Sequence, residues 1–299
     1  MPNSSRLPTN VLLIGAAGYI GSALYRELVR AGFRVETVDL CWHGPSPSEE
    51  NVCDDFGCLS GKFLRRFDTV VLLAGHSSVA MCRREPGPAF TNNVANFVSL
   101  LAKLDGQRLV YASSISVYGE TLEHEACECD PLPSPVNHYD LHKQAIDHHA
   151  RLSRVRYYGL RFGTVNGPAP TLRVDVMLNK MVHMAQKLGR IEICNPSAQR
   201  PMLGIADLCR AVSVVIQREA PAGVYNLASF NASVGEMAEQ VSRLLSVPIS
   251  RVPDSPTYDV RVSTAKFRRV FDFDFQETTA SIVGALQKCY HECRLGTRD

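Results

Sequence analysis

The chain has 299 residues, 45% of them hydrophobic and 21% charged, an ordinary globular balance with enough length to bury a sizeable core, as one α/β domain with an appendage or as two domains. Its 32 Lys and Arg against 30 Asp and Glu leave a net charge of +2, and no run of Lys or Arg exceeds two, so no nucleic-acid partner is expected. No apolar stretch precedes Asn10, and the first apolar run is short and interrupted by Gly15 and Gly18, so no signal peptide, no membrane span and a cytoplasmic location are expected.

In chain order, Asn10-Val-Leu-Leu-Ile14 is a continuous apolar run of the kind a parallel strand needs when it is buried on both faces. Glycines follow at once in Gly15-Ala-Ala-Gly18-Tyr19-Ile20-Gly21, and Leu24, Leu28 and Ala31 then recur at helical spacing up to Gly32, which suits a helix end. Strand, glycine turn and helix in this order make a pyrophosphate site: glycines let the backbone approach the phosphates, and a helix N-terminus offers N–H donors and partial positive charge. A second strand is predicted over Arg34–Asp39. Its last residue, Asp39, stands about 20 residues beyond the glycines, where a carboxylate accepts hydrogen bonds from ribose hydroxyls and repels a 2′-phosphate. NAD is therefore favoured over NADP.

Further buried strands are predicted at Thr69–Ala74, Arg108–Ser113 and Arg156–Arg161, with the longest helices at Asn92–Leu104 and Tyr139–Leu152. This alternation predicts an α/β fold of Rossmann type, a doubly wound parallel sheet. Gly44–Ser48 and Pro131–Pro135 read as loops. After Asn166-Gly-Pro-Ala-Pro170 the rhythm changes to a helix from about Val174 to Leu188, then short strands and helices separated by Pro196, Pro201, Pro221, Pro248, Pro253 and Pro256. Residues 1–168 are thus expected to form the nucleotide domain. Residues 169–299 are expected to form mainly a smaller C-terminal substrate lobe, with some strands returning to the main sheet.

Ten cysteines lie scattered rather than at framework spacings, as expected of reduced thiols. His124, Cys127 and Cys129 could ligate zinc, yet they stand among Glu125, Glu128 and Asp130 with no second CxxC-type pair, so a solvated acidic loop without metal is the favoured reading. His138, His142, His148 and His149 fall within one helical stretch, face several directions, and read as surface or cofactor-neighbouring residues.

Tyr139 and Lys143 are four residues apart on a predicted helix and so share one face. A free phenol has a pKa of about 10, and a neighbouring cation favours its ionised form, so the pair can supply a base nearer neutral pH. Upstream, Val110-Tyr-Ala-Ser-Ser-Ile-Ser-Val-Tyr-Gly119 is a buried strand that delivers Ser113 and Ser114 to the rim carrying the glycine turn.

With these segments, the order Leu73-Ala-Gly75, Asn92-Asn93-Val94, Leu160-Arg161, Gly167-Pro168, and Arg200 followed by Asp207 resembles the extended short-chain dehydrogenase/reductase family. The resemblance is to its NAD-dependent epimerase/dehydratase group of nucleotide-sugar enzymes. It implies NAD as cofactor and a catalytic set of Ser114, Tyr139 and Lys143. In that set Tyr139 takes the substrate hydroxyl proton, Lys143 holds the nicotinamide ribose, and Ser114 orients the reacting oxygen. It further implies Gly15, Gly18, Tyr19, Ile20, Gly21, Asp39, Asn51, Val52, Leu73, Ala74, Gly75 and Asn93 along the cofactor. For the substrate it implies Ser114, Ser116, Thr164, Asn179 and Arg200. A homodimer built on the helices Asn92–Leu104 and Tyr139–Leu152 is also implied.

Two departures narrow the activity. The family's dehydratases carry an acidic residue, commonly an Asp-Glu pair, after the catalytic hydroxyl residue, where this chain has Ile115 and Ser116; the epimerase pattern is closer. Thr164 replaces the usual substrate-contacting Asn, and a second basic residue expected near Lys266 is missing, the stretch from Asp254 to Asp259 being acidic. The expected activity is NAD-dependent epimerisation of a nucleotide-activated sugar through a transient ketone. An NAD-dependent dehydrogenase or reductase of a sugar or small alcohol is the alternative within the class, and a non-catalytic NAD-binding sensor or interaction protein the alternative outside it.

Overall fold

The computed structural model describes residues 9–122 and 124–295. In it the apolar run Asn10–Ile14 forms strand β1, whose residues from Val11 onward are at most 1% exposed. A strand buried on both faces is comfortable only inside a parallel sheet, and β1 is flanked on both sides. The strands β2 (Arg34–Val38), β3 (Asn51–Val52), β4 (Thr69–Leu72) and β5 (Arg108–Ser114) pair in parallel as β3 with β2, β2 with β1, β1 with β4 and β4 with β5. Two later strands, Arg156–Phe162 and Gly223–Leu227, complete a seven-stranded sheet beyond β5. The strand order reverses direction between β1 and β4. In doubly wound sheets that switch point, at the carboxyl ends of the strands, is where ligands bind.

By contacts the chain divides into two compact units. The first comprises the chain up to Val117, Leu132–Arg161 and Cys209–Tyr225; the second comprises Tyr118–Pro131, Phe162–Leu208 and the chain from Asn226. The first unit's core is built from Leu12, Ile14, Val38, Leu64, Val70, Phe97, Tyr111 and Ile146. Each such side chain contributes about 1.5–3 kcal/mol by leaving water. The second unit packs Leu178, Met181, Val182, Ile191, Met202, Met237, Val241 and Leu286 into its own core. Among its described residues it carries three small sheets, the largest made of Thr164–Asn166, Gln199–Gly204 and Phe230–Ser233.

Several elements differ from the sequence expectation, each for a tertiary reason. The helix expected at Asn92–Leu104 opens as a wide π-turn over Thr91–Ala95 before the α-helix Asn96–Lys103. Such widened turns concentrate at functional positions, and this one holds Asn93, whose side-chain oxygen accepts the His76 N–H at 2.8 Å. The helix expected from Val174 begins at Met177, because the Asn166 side-chain oxygen Oδ1 accepts the Leu178 N–H at 2.8 Å and caps it from the strand Thr164–Asn166. Pro201 lies inside the strand Gln199–Gly204 rather than between elements. It pairs opposite Asn231 on one side only, since pairing with Thr164–Asn166 starts at Met202, so its missing N–H is tolerated. Among the described residues no helix is long and apolar enough to cross a membrane.

Candidate active site

The turn after β1 is shaped by what its glycines omit. Gly15 has φ +96°, and a Cβ there would stand 2.5 Å from the Ala74 nitrogen; a Cβ on Gly21 would overlap the Gly15 carbonyl. The helix Tyr19–Arg30 can therefore start directly on the turn, with Tyr19, Ile20 and Gly21 in its first turn. Gly18 is its N-cap, with no side-chain cap bond and no acidic residue in that turn. Its positive end is thus left to an anion from outside. The neighbouring β4 end is laced to the same place, with the Leu73 and Ala74 N–H groups donating to the Ile14 carbonyl at 2.8 and 3.1 Å.

Asp39 follows β2 directly. One carboxylate oxygen accepts the Ala17 N–H of the glycine turn at 2.8 Å, and the other accepts the Cys41 N–H at 2.7 Å. Asn51 and Val52 sit beside it: the Val52 carbonyl accepts the Asp39 N–H at 3.2 Å, and the Asn51 amide donates to the Asp39 carbonyl at 3.3 Å. Beyond Gly75, Asn93 braces the chain by also donating to the His76 carbonyl at 3.1 Å. Its amide lies 3.4 Å from His142 Nδ1. His142 is buried, not at the surface, and burial pushes its imidazole toward the neutral form, helped by His138 and Lys143.

At the end of β5 the Ser114 and Ser116 hydroxyls are 2.9 Å apart, and Ser114 Oγ accepts the Ser116 N–H at 3.2 Å. The helix His138–Leu152 is started by Asn137, whose side chain accepts the Asp140 N–H. One turn inside it, Lys143 Nζ donates to the Ala112 carbonyl at 2.7 Å and lies 5.7 Å from the centre of the Tyr139 ring. Ala112 is two residues before Ser114, so one hydrogen bond sets the helix pair against the serine strand.

Burial pushes the Lys143 ammonium down to about 8, against the opposing pull of Asp147 and Cys82. Between that value and the 10.5 of an exposed lysine the unfolded chain binds a proton the folded chain lacks, so this residue makes the cofactor-free fold more stable as pH rises through the window. The Tm advantage of Lys143→Met over the parent is accordingly expected to shrink from neutral pH to pH near 10. A constant difference would mean that Lys143 is not desolvated.

Two contacts of this helix were not anticipated. Asp147, one turn beyond Lys143, accepts from Arg161 Nε at 2.9 Å and from the Tyr111 hydroxyl at 3.0 Å, all three buried. The i, i+4 spacing of Lys143 and Asp147 was the available sequence signal.

The other substrate candidates lie in the second unit. Thr164 is half-buried opposite Met202, with its carbonyl accepting the Asn166 amide at 2.7 Å. Asn179 is 1% exposed; its oxygen accepts the Gly167 N–H at 2.9 Å and its amide donates to the Arg173 carbonyl at 2.7 Å. Those bonds fix Asn179 against the Gly167 turn. Arg200 donates to the Gln199 and Tyr258 carbonyls and to Thr257 Oγ1. Asp207 accepts from Ser229 Oγ at 2.7 Å and from the Gln276 and Glu277 N–H groups.

A glycine turn at the sheet's switch point, a carboxylate ending β2 and a Tyr–Lys helix beside a serine strand define the extended short-chain dehydrogenase/reductase class. The chain belongs to the NAD dependent epimerase/dehydratase family, whose model matches residues 11–228. It is similar to UDP-glucose 4-epimerase of Lactobacillus helveticus, 31% identical over an alignment of 174 residues, with 52% of this chain and 52% of that protein covered. The chain thus spans about half the length of that curated relative. MoeE5 in complex with UDP-glucuronic acid and NAD has the same fold, with TM-score 0.83 at 23% identity over 95% of this chain and 99% of that one. So does UDP-N-acetylglucosamine 4-epimerase from Methanobrevibacter ruminantium M1 in complex with UDP-N-acetylmuramic acid, at 0.86 and 18%, covering 96% and 100%.

The residues fit the family's NAD: Gly15 and Gly21 have no room for a Cβ, the helix start has no side-chain cap, and the Asp39 carboxylate is bonded to the same turn. Asp39→Ala is expected to weaken NAD about 10–100-fold, the worth of hydrogen bonds to a charged acceptor, and to relax rejection of NADP. Titration of both cofactors checks this; an unchanged preference would remove Asp39 from the cofactor site.

Proposed function

We propose that the protein is an NAD-dependent epimerase of a nucleotide-activated sugar, with Ser114, Tyr139 and Lys143 as its catalytic residues. The observation that carries this reading is the Ser114–Ser116 hydroxyl pair beside the Tyr139–Lys143 helix, with Ile115 and Ser116 at the positions where elimination of water would need acids. Similarity to the curated UDP-glucose 4-epimerase supports it.

Bound NAD supplies the acceptor for a hydride from the carbinol carbon and its return to the opposite face of the resulting ketone. The chain's own part is protonic and positional. Tyr139 Oη takes the hydroxyl proton as the carbon–oxygen bond becomes a carbonyl, and gives it back in the reverse step. Lys143, fixed by Ala112, places positive charge beside the Tyr139 ring and stabilises negative charge there. Ser114 Oγ hydrogen-bonds the reacting oxygen, and Ser116 orients Ser114 or touches the sugar.

Gly15, Gly18, Tyr19, Ile20 and Gly21 would bind the pyrophosphate, Asp39 the adenosine ribose, and Asn51 and Val52 the adenine side. Leu73, Ala74 and Gly75 would follow the cofactor, with Asn93 as their support. Within the second unit, Arg200 is assigned the diphosphate and Thr164 a sugar contact; three fixed acceptors hold the Arg200 guanidinium in one orientation, as bidentate phosphate recognition requires. A homodimer through the helix His138–Leu152 is part of the proposal, since Leu141 and Leu152 are exposed along it.

Incubation with a panel of UDP-, GDP-, CDP- and dTDP-sugars without added cofactor tests the reading. An isomer of unchanged mass is expected from one nucleotide class. A product lighter by two hydrogens, formed only when NAD is added, would replace it with the dehydrogenase reading.

A further inference from the structure

The turn His124–Asp130 belongs to the second unit and takes no part in the chemistry proposed above. Sequence alone favours a solvated acidic loop there, but the chain folds its soft donors together. The sulfurs of Cys127 and Cys129 and a carboxylate oxygen of Asp130 all lie within 4.8 Å of one another. His124 Nε2 is 2.7 Å from Asp130 Oδ2, and the Cys127 thiol donates to Asp130 Oδ1 at 3.0 Å. Tetrahedral zinc ligands, at about 2.3 Å for sulfur and 2.0–2.2 Å for nitrogen or oxygen, stand roughly 3.3–3.8 Å apart. The two sulfurs and the Asp130 oxygen therefore need only a small contraction to meet one ion.

We propose that Cys127, Cys129 and Asp130 form a binding site for a thiophilic divalent cation, zinc being the ion whose ligand preferences they match. Two sulfurs with one carboxylate select zinc over magnesium or calcium, which take all-oxygen shells. On binding, each cysteine loses its thiol proton to solvent. Two thiolates and a carboxylate then face the doubly charged ion, a net charge of −1, with water completing the tetrahedron and His124, 2.7 Å from Asp130 Oδ2, holding the carboxylate from outside.

The Asp130 carboxylate accepts the Cys127 N–H at 2.9 Å, and the rest of the backbone presenting these donors is held by bonds that use none of them. Glu128, between the two cysteines, accepts the Asn226 N–H at 2.7 Å. The Ala126 carbonyl accepts from the Asn226 amide at 3.2 Å and from the Ser263 N–H at 2.9 Å, and Glu125–Ala126 pairs in parallel with Arg261–Val262. The turn is thus anchored from behind while its donors converge in front.

The test uses the full chain, reduced with a phosphine and stripped of metal by a chelator, then titrated with cobalt as a spectroscopic probe. The expected result is one cobalt per chain, thiolate-to-cobalt charge-transfer absorption, and displacement of cobalt by zinc. Cys129 is exposed, so Cys129→Ser should keep the fold, weaken cobalt binding at least about tenfold and dim the band. Cys53→Ser, at another exposed thiol outside the cluster, should bind as the parent does. Absence of the band in the reduced parent, or an identical titration for Cys129→Ser, would overturn the proposal. A Cys127–Cys129 disulfide found in protein that takes up no cobalt when reduced would overturn it equally.

Discussion

Tyr139→Phe is expected to lower turnover about 10²–10⁴-fold, the usual worth of a positioned proton-transfer group. The substitution removes one oxygen and leaves the ring in place over Lys143, whose bond to the Ala112 carbonyl does not involve the phenol. NAD affinity and Tm should therefore stay near the parent values, and the loss should fall on kcat. The measurement is kcat and KM on the sugar that the parent isomerises, with bound NAD quantified after denaturation. Activity within a few-fold of the parent would remove Tyr139 from the proton-transfer role.

The second large effect concerns stability. Asp147→Ala leaves Arg161 as a buried guanidinium without its carboxylate and takes the acceptor from the Tyr111 hydroxyl. Removing one partner of a buried ion pair costs about 3–5 kcal/mol, because the desolvated charge remains uncompensated. Replacing both Asp147 and Arg161 by apolar residues of similar volume should recover much of that loss. Urea unfolding of the single and double variants checks this, and a single-variant loss near zero would mean that the pair is wetter than its burial indicates. Asp147 also holds the Lys143 proton against burial, so the single variant should lower the Lys143 titration further.

What could be read in the sequence was what is determined over a short stretch of chain. Gly15 and Gly21 are needed because Ala74 and Gly15 backbone leave no room for a Cβ, and such glycines announce themselves at fixed spacing beside an apolar strand. The Tyr139–Lys143 pair is likewise set by a single helical turn. What could not be read depends on chain segments far apart. Arg161 reaches Asp147 from the next strand, Asn166 caps a helix from outside it, and the Arg200 partners Thr257 and Tyr258 come more than 50 residues later. The bonds of Asn179 to Gly167 and Arg173 likewise join segments that periodicity does not relate. The helix Asn96–Lys103 and its π-turn differ from the predicted span because Asn93 is drawn toward His76, a tertiary demand that periodicity does not encode.

In the proposed reaction the carbinol carbon is inverted by removal and return of the same hydride, with Tyr139 moving only the hydroxyl proton. Epimerisation in deuterated water without added cofactor tests this, with the isomer analysed by mass spectrometry after exchangeable hydrogens have been washed back. An isomer of unchanged mass, carrying no solvent deuterium on carbon, is expected. An isomer bearing one deuterium at the inverted carbon would show that this carbon was deprotonated and reprotonated from solvent, and would rule the hydride route out.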